Sequence, residues 1–185
     1  VDESAYFPVP IPDTSRNFIH LDNNIRVVFR MTGKPNAILF ENVLTHAECD
    51  AIIAESSAKL ERSTVVAVTD GASAVDSSRT SSGTYFDLGA HKVIGRIENR
   101  LATLVDWPFN KGESVQVMRY EPGEKYSPHY DYFDPKDPGS ARHTQNGQRV
   151  ATLIMYLSDV EEGGSTGFPD IGLHVIPKKG SVLFF

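Results

Sequence analysis

The chain has 185 residues, 40% hydrophobic and 23% charged, the composition of one globular unit with a sizeable core. Its formal net charge of −6 comes from interspersed acids and bases, so no basic stripe is offered to a nucleic acid, and no apolar run is long enough to make a membrane a partner. A single cysteine, Cys49, excludes an internal disulfide and a thiolate-rich metal site, and it fits a reducing, cytoplasmic setting.

Residues 1–22 read as an extended arm, because proline at alternate positions in Phe7-Pro-Val-Pro-Ile-Pro12 removes ladder donors. Ile25–Met31 and Asn36–Glu41 read as strands around the turn Gly33-Lys-Pro35. Thr45-His-Ala-Glu48 matches a capping box and predicts a helix to about Leu60, with Ile52 and Ile53 on its inner face and Cys49 buried as a small hydrophobe. A second helix is predicted from Leu88 to Val105, where Val93, Ile94, Ile97, Leu101, Leu104 and Val105 recur at helical spacing.

Beyond Pro108 the pattern turns to short apolar strands at Ser114–Glu121, Arg149–Leu157, Gly172–Ile176 and Ser181–Phe185. Turn residues divide them at Pro122-Gly123, Glu162-Gly-Gly164 and Lys178-Lys-Gly180, and a long polar loop runs from Asp134 to Gln148. Two helices ahead of many short strands predict a mainly β, α+β fold with helices packed outside a sandwich or jelly roll.

His129-Tyr-Asp131 is the candidate metal motif. In an extended strand, residues two apart face the same side, so the imidazole and the carboxylate would project together. They are two thirds of the facial triad that holds non-haem Fe(II) with open positions. The spacing alone is equally that of two side chains hydrogen-bonded in a turn.

Several blocks carry a resemblance that decides between these readings. Val117-Met-Arg-Tyr-Glu-Pro-Gly123, Tyr126-Ser-Pro-His-Tyr-Asp-Tyr-Phe133, Gln148–Leu157, Val160-Glu-Glu-Gly-Gly164 and Pro177-Lys-Lys-Gly180 together resemble the catalytic domain of prolyl 4-hydroxylases, within the 2-oxoglutarate- and Fe(II)-dependent dioxygenases. Upstream, Arg79-Thr-Ser-Ser-Gly83 is similar to that family's substrate-side loop. The resemblance implies a double-stranded β-helix (jelly-roll, cupin-like) core and one dioxygenase domain over residues 23–185. It implies 4-hydroxylation of prolyl residues in a peptide or protein, using Fe(II), 2-oxoglutarate and O2, with ascorbate as a candidate reductant.

Site roles follow from the same resemblance. His129 and Asp131 match iron ligands and catalytic residues, Tyr120 and Thr152 match contacts to 2-oxoglutarate, and Tyr126, Arg149, Glu113, Arg79 and Ser81 match the peptide groove. The loops at residues 68–82 and 134–148 would be mobile and close over a peptide. The third ligand, a histidine, and a lysine for the cosubstrate are expected beyond Phe185, and the chain is expected to be a truncated form. His143 lies in the polar loop, His174 on a strand face, and Lys178 and Lys179 in a turn, so none matches these positions. A hydroxylase of another amino acid, and a non-catalytic binding module on the same barrel, are the alternatives. A zinc hydrolase would need a second histidine pair or a glutamate base that the chain does not supply at helical spacing. The oligomeric state is open, a homodimer among the options.

Overall fold

The computed structural model describes residues 15–67, 70–145 and 147–185. The first half carries strands β1 (Phe18–His20), β2 (Asn24–Met31) and β3 (Ala37–Glu41), helix α1 (His46–Ser57), strands β4 (Glu61–Arg62), β5 (Val65–Val66), β6 (Ser73–Ala74) and β7 (Ser82–Phe86), and helix α2 (Lys92–Leu104). The second half carries β8 (Val115–Arg119), the short helix α3 (Ser140–His143), β9 (Leu153–Met155), β10 (Thr166–Phe168), β11 (Leu173–Val175) and β12 (Val182–Phe184).

Strand β12 is Val-Leu-Phe, apolar at every position, and it is buried at every position. An apolar run without alternation suits a strand covered on both faces. It lies between β3 and β9, with Val182 opposite Phe40 and Met155, and Phe184 opposite Ile38 and Leu153. The sheet order is β1-β2-β3-β12-β9, antiparallel throughout. Val182 and Phe184 face a core with Ile25, Phe40, Cys49, Ile52, Ile94, Ile97 and Leu101, while Leu183 faces Ala37, Tyr156 and Val175. Burying side chains of this size stabilises the fold by about 1.5–3 kcal/mol each. A second sheet, β4-β7-β8, and the two-stranded pairs β5-β6 and β10-β11 complete a mainly β, jelly-roll architecture.

The capping box forms as its sequence predicts. Glu48 N–H donates to Thr45 Oγ1 (3.2 Å), and Thr45 N–H donates to Glu48 Oε2 (2.8 Å). Cys49, Ile52 and Ser56 make the inner stripe of α1, whereas Ile53, expected there, is 38% exposed one step off that stripe. Helix α2 begins at Lys92, four residues later than predicted, with His91 as its N-cap. The preceding turn is held by Glu98, whose Oε2 accepts from Gly89 N–H (2.9 Å) at a positive φ of 71°.

Other boundaries also shift. Phe18–His20, expected inside an arm reaching residue 22, pairs with β2 as the edge of the main sheet. The Pro-containing stretch Phe7–Pro12 lies outside the described residues. The strand predicted at Arg149–Leu157 contracts to β9, although its ladder continues through the reciprocal backbone bonds of Thr152 and Phe185 (2.7 and 3.0 Å). The most consequential departure concerns residues 129–131. They belong to no ladder, and the segment bends at Asp131.

Candidate active site

What holds the His129–Asp131 segment is a set of specific bonds to a neighbouring stretch of chain. Ser127 N–H donates to Ser78 O (2.8 Å), Thr80 N–H to Lys125 O (2.8 Å), and Lys125 N–H to Thr80 Oγ1 (2.7 Å). A single bridge joins Arg79 to Tyr126. These contacts leave the next residues free of sheet geometry and able to aim two side chains at one point.

His129 Nδ1 lies 2.8 Å from Ser127 O. A carbonyl oxygen can only accept, so Nδ1 carries the proton and Nε2 of the neutral ring is a bare lone pair. That lone pair points at Asp131 Oδ1, 3.2 Å away. Two acceptors at this distance repel unless a cation lies between or beside them. In the protein alone the cation is a second proton. The hydrogen bond to Asp131 therefore raises the pKa of His129, against the opposing effect of burial. The same bond lowers the pKa of Asp131, again against burial, with Thr152 helping. A metal ion fits the pair by the same electrostatics, replacing that proton.

The ring is also held by stacking. Tyr126 lies face to face with His129 (centroids 3.7 Å, 22° between planes), and the Arg79 guanidinium sits over the Tyr126 ring at 4.6 Å. Arg79 is buried, donating to Thr64 O (2.9 Å) and Gln116 Oε1 (3.1 Å). On the other side, Thr152 Oγ1 donates to Asp131 Oδ2 (2.6 Å), and Arg149 Nη1 donates to the Asp131 carbonyl (3.2 Å). Arg149 is forked onto Glu113 (2.7 and 2.9 Å) and stacked on Phe133 (4.6 Å).

Comparison with known proteins places this arrangement. Residues 115–185 match the family model of the 2OG-Fe(II) oxygenase superfamily. Prolyl 4-hydroxylase 2 of Arabidopsis thaliana is 37% identical over 179 residues, covering 85% of this chain and 58% of that protein. Probable prolyl 4-hydroxylase 10 of the same plant is 41% identical over 181 residues, covering 88% and 61%. The crystal structure of the viral collagen prolyl hydroxylase vCPH from Paramecium Bursaria Chlorella virus-1, as its 2OG complex, superposes with a TM-score of 0.60 at 32% identity, covering 80% of this chain and 76% of that one. The chain belongs to the prolyl 4-hydroxylase family of 2OG-Fe(II) oxygenases. It spans about three-fifths of the length of these plant relatives.

Of the residues matched to the prolyl 4-hydroxylase pattern, His129, Asp131, Thr152, Tyr126, Arg149 and Glu113 come together directly. Tyr120 is exposed, its hydroxyl donating to Met118 Sδ (3.7 Å), outside the pair. Two residues matched to the peptide groove, Arg79 and Ser81, are buried, Arg79 being 7% exposed and Ser81 fully buried. The Arg79 guanidinium sits over the Tyr126 ring, and Ser81 Oγ donates to Ser63 Oγ (3.0 Å). Among the described residues no third histidine, cysteine, aspartate or glutamate joins the pair. His143 stacks on Phe133 and bonds Gly71 O (2.8 Å), and His174 sits beside Ser165.

Sequence reasoning missed Gln116 and Tyr85. Gln116 Nε2 donates to Tyr85 OH (2.7 Å) while its Oε1 receives Arg79, so an exposed tyrosine is tied to the stack under His129. It also missed that the two loops expected to be mobile touch each other. Gly139 packs backbone to backbone against Gly71, and His143 Nε2 lies 2.8 Å from Gly71 O.

Proposed function

We propose that the protein is an Fe(II)- and 2-oxoglutarate-dependent prolyl 4-hydroxylase acting on a proline-containing peptide or protein. The observation that carries this reading is the His129 Nε2–Asp131 Oδ1 pair, two acceptors aimed at one point 3.2 Å apart, in a chain of this family. Nε2 and Oδ1 would hold the metal, the third ligand being the histidine that the family pattern expects after Phe185. When bound, the iron with 2-oxoglutarate and O2 supplies the oxidising power for C–H hydroxylation, the keto acid leaving as succinate and CO2.

The chain's own residues bind, orient and move one proton. To hold a metal, His129 would have to give up any proton at Nε2, and Ser127 O and the Tyr126 ring hold the imidazole plane for that exchange. Arg149, anchored by Glu113, fixes the backbone of Asp131. Tyr120 is exposed, and its hydroxyl would have to leave Met118 Sδ (3.7 Å) to donate to the cosubstrate. Tyr130 (74% exposed), Tyr132 and Tyr85 (62% exposed) offer aromatic faces near the pair, the surface that extended proline-containing segments dock on. Cytoplasmic location and ascorbate as a candidate reductant belong to the same reading; the lone buried thiol of Cys49 supports the former.

The test is to incubate the full-length protein with Fe(II), 2-oxoglutarate and proline-containing peptides, following succinate and peptide mass together. Stoichiometric succinate and one-oxygen mass gain on proline is the expected result. Turnover on a free amino acid with no gain on peptides would replace the substrate. Bound metal with no succinate from any candidate would make the protein a binding module.

A further inference from the structure

The ligand-bearing segment lies outside every ladder, so its rigidity must come from elsewhere. Its carboxylate is tied to the main sheet at one atom, Oδ2, which accepts from Thr152 Oγ1 at 2.6 Å. Thr152 is itself fixed by two reciprocal backbone bonds to Phe185, next to the buried strand β12. A β-branched side chain has few χ1 choices, so the hydroxyl has little freedom once the backbone is set. Oδ1 is the oxygen facing His129 Nε2. The two oxygens of Asp131 are thus differentiated, one for the sheet and one for the histidine side.

We propose that Thr152 is a positioning residue: it holds Asp131 in the one-oxygen orientation a facial metal site needs, and thereby sets metal affinity. This rests on the iron reading of the same site. It also changes the role that resemblance gives Thr152. A threonine hydroxyl has one proton to donate. While that proton is on Asp131 Oδ2, it is not available to a carboxylate of 2-oxoglutarate, so the two roles exclude each other.

Co(II) titration of the full-length protein separates them, following the visible bands of the bound ion without 2-oxoglutarate and then adding 2-oxoglutarate at saturating Co(II). Thr152→Val keeps shape and strand propensity but removes the hydroxyl, and Thr152→Ser restores it. The valine variant is expected to bind Co(II) about 10–100-fold more weakly, with serine close to wild type and 2-oxoglutarate affinity on the loaded protein preserved. Should the valine variant not fold, Thr152→Ala carries the same comparison against serine. Unchanged Co(II) affinity without the hydroxyl overturns the proposal, and weakened 2-oxoglutarate binding with intact Co(II) binding overturns it in favour of a cosubstrate contact. Asp131→Ala in the same titration tells the two failures apart. If it binds Co(II) like wild type, the metal reading itself falls; if it does not bind while Thr152→Val binds as tightly as wild type, only the positioning role falls.

Discussion

Gly139→Ala tests whether the two loops beside the site act as one body. Gly139 has φ −76° and ψ −13°, ordinary for alanine, so no backbone strain confounds the substitution. The added methyl would lie 2.8 Å from Gly71 Cα and 2.9 Å from Ala67 O, closer still to Gly71 N. Reaching an ordinary carbon contact of about 3.5 Å or more requires the loops to separate by about 1 Å. His143 Nε2 sits 2.8 Å from Gly71 O, and such a separation takes that bond past useful length. Overpacking of this kind costs about 1–3 kcal/mol. If the cost falls on loop docking alone, opening becomes about 5–150-fold more frequent. Hydrogen exchange reads it directly, at Gly71 N–H, bonded to Ala67 O (2.8 Å), and at Ala67 N–H, bonded to Ala72 O (2.8 Å). Under the proposed function the peptide KM rises while succinate release without peptide is unchanged. Unaltered exchange at both amides, in a folded variant, would refute the reasoning.

Arg100→Met should destabilise the protein by about 3–5 kcal/mol in urea unfolding, because it strands a partly buried carboxylate. The Arg100 side chain is 6% exposed, bidentate to Glu48 (2.9 and 3.0 Å) and bonded to Val43 O (2.9 Å); a loss under about 1 kcal/mol would contradict this. Burial pushes the Glu48 carboxyl up, but bonds from Arg100 and Thr45 outweigh it and leave it below its ordinary 4.5. A depressed carboxylate contributes stability above its unfolded value and loses it as pH falls through the folded one. The gap between wild type and Glu48→Gln should therefore be constant at neutral pH and close only below 4.5. His129 is raised above 6.5, chiefly by its bond to Asp131, so protons compete with metal from above that value. Co(II) affinity should start to fall while pH is still above 6.5, and a midpoint at or below it would count against the proton-for-metal exchange.

Local signals were legible and distant ones were not. The capping box spans four residues, and the α2 stripe needs only helical periodicity; both are properties of short windows. The family blocks pointed to the His129–Asp131 pair, yet what shapes it is long-range. Thr152 reaches Asp131 across 21 positions, Arg149 reaches Glu113 across 36, Arg100 reaches Glu48 across 52, and His143 reaches Gly71 across 72. No periodicity encodes such pairings. Arg79 and Ser81 show the same limit from the other side, since polar residues in a loop motif give no sign that they will be buried beneath it.

Strand periodicity was the wrong reason for a convergence that does occur, and the true reason bears on how the site works. Every backbone carbonyl in a doubly paired strand is committed to a neighbouring strand. Here the Ser127 carbonyl is free to take His129 Nδ1, and the Asp131 carbonyl is free to take Arg149. The first bond selects the tautomer that leaves Nε2 bare, and the second steadies the residue whose carboxylate faces it. An irregular segment, pinned at Ser127 from one side and at Thr152 and Arg149 from the other, thus supplies two orienting acceptors that a doubly paired strand would have consumed.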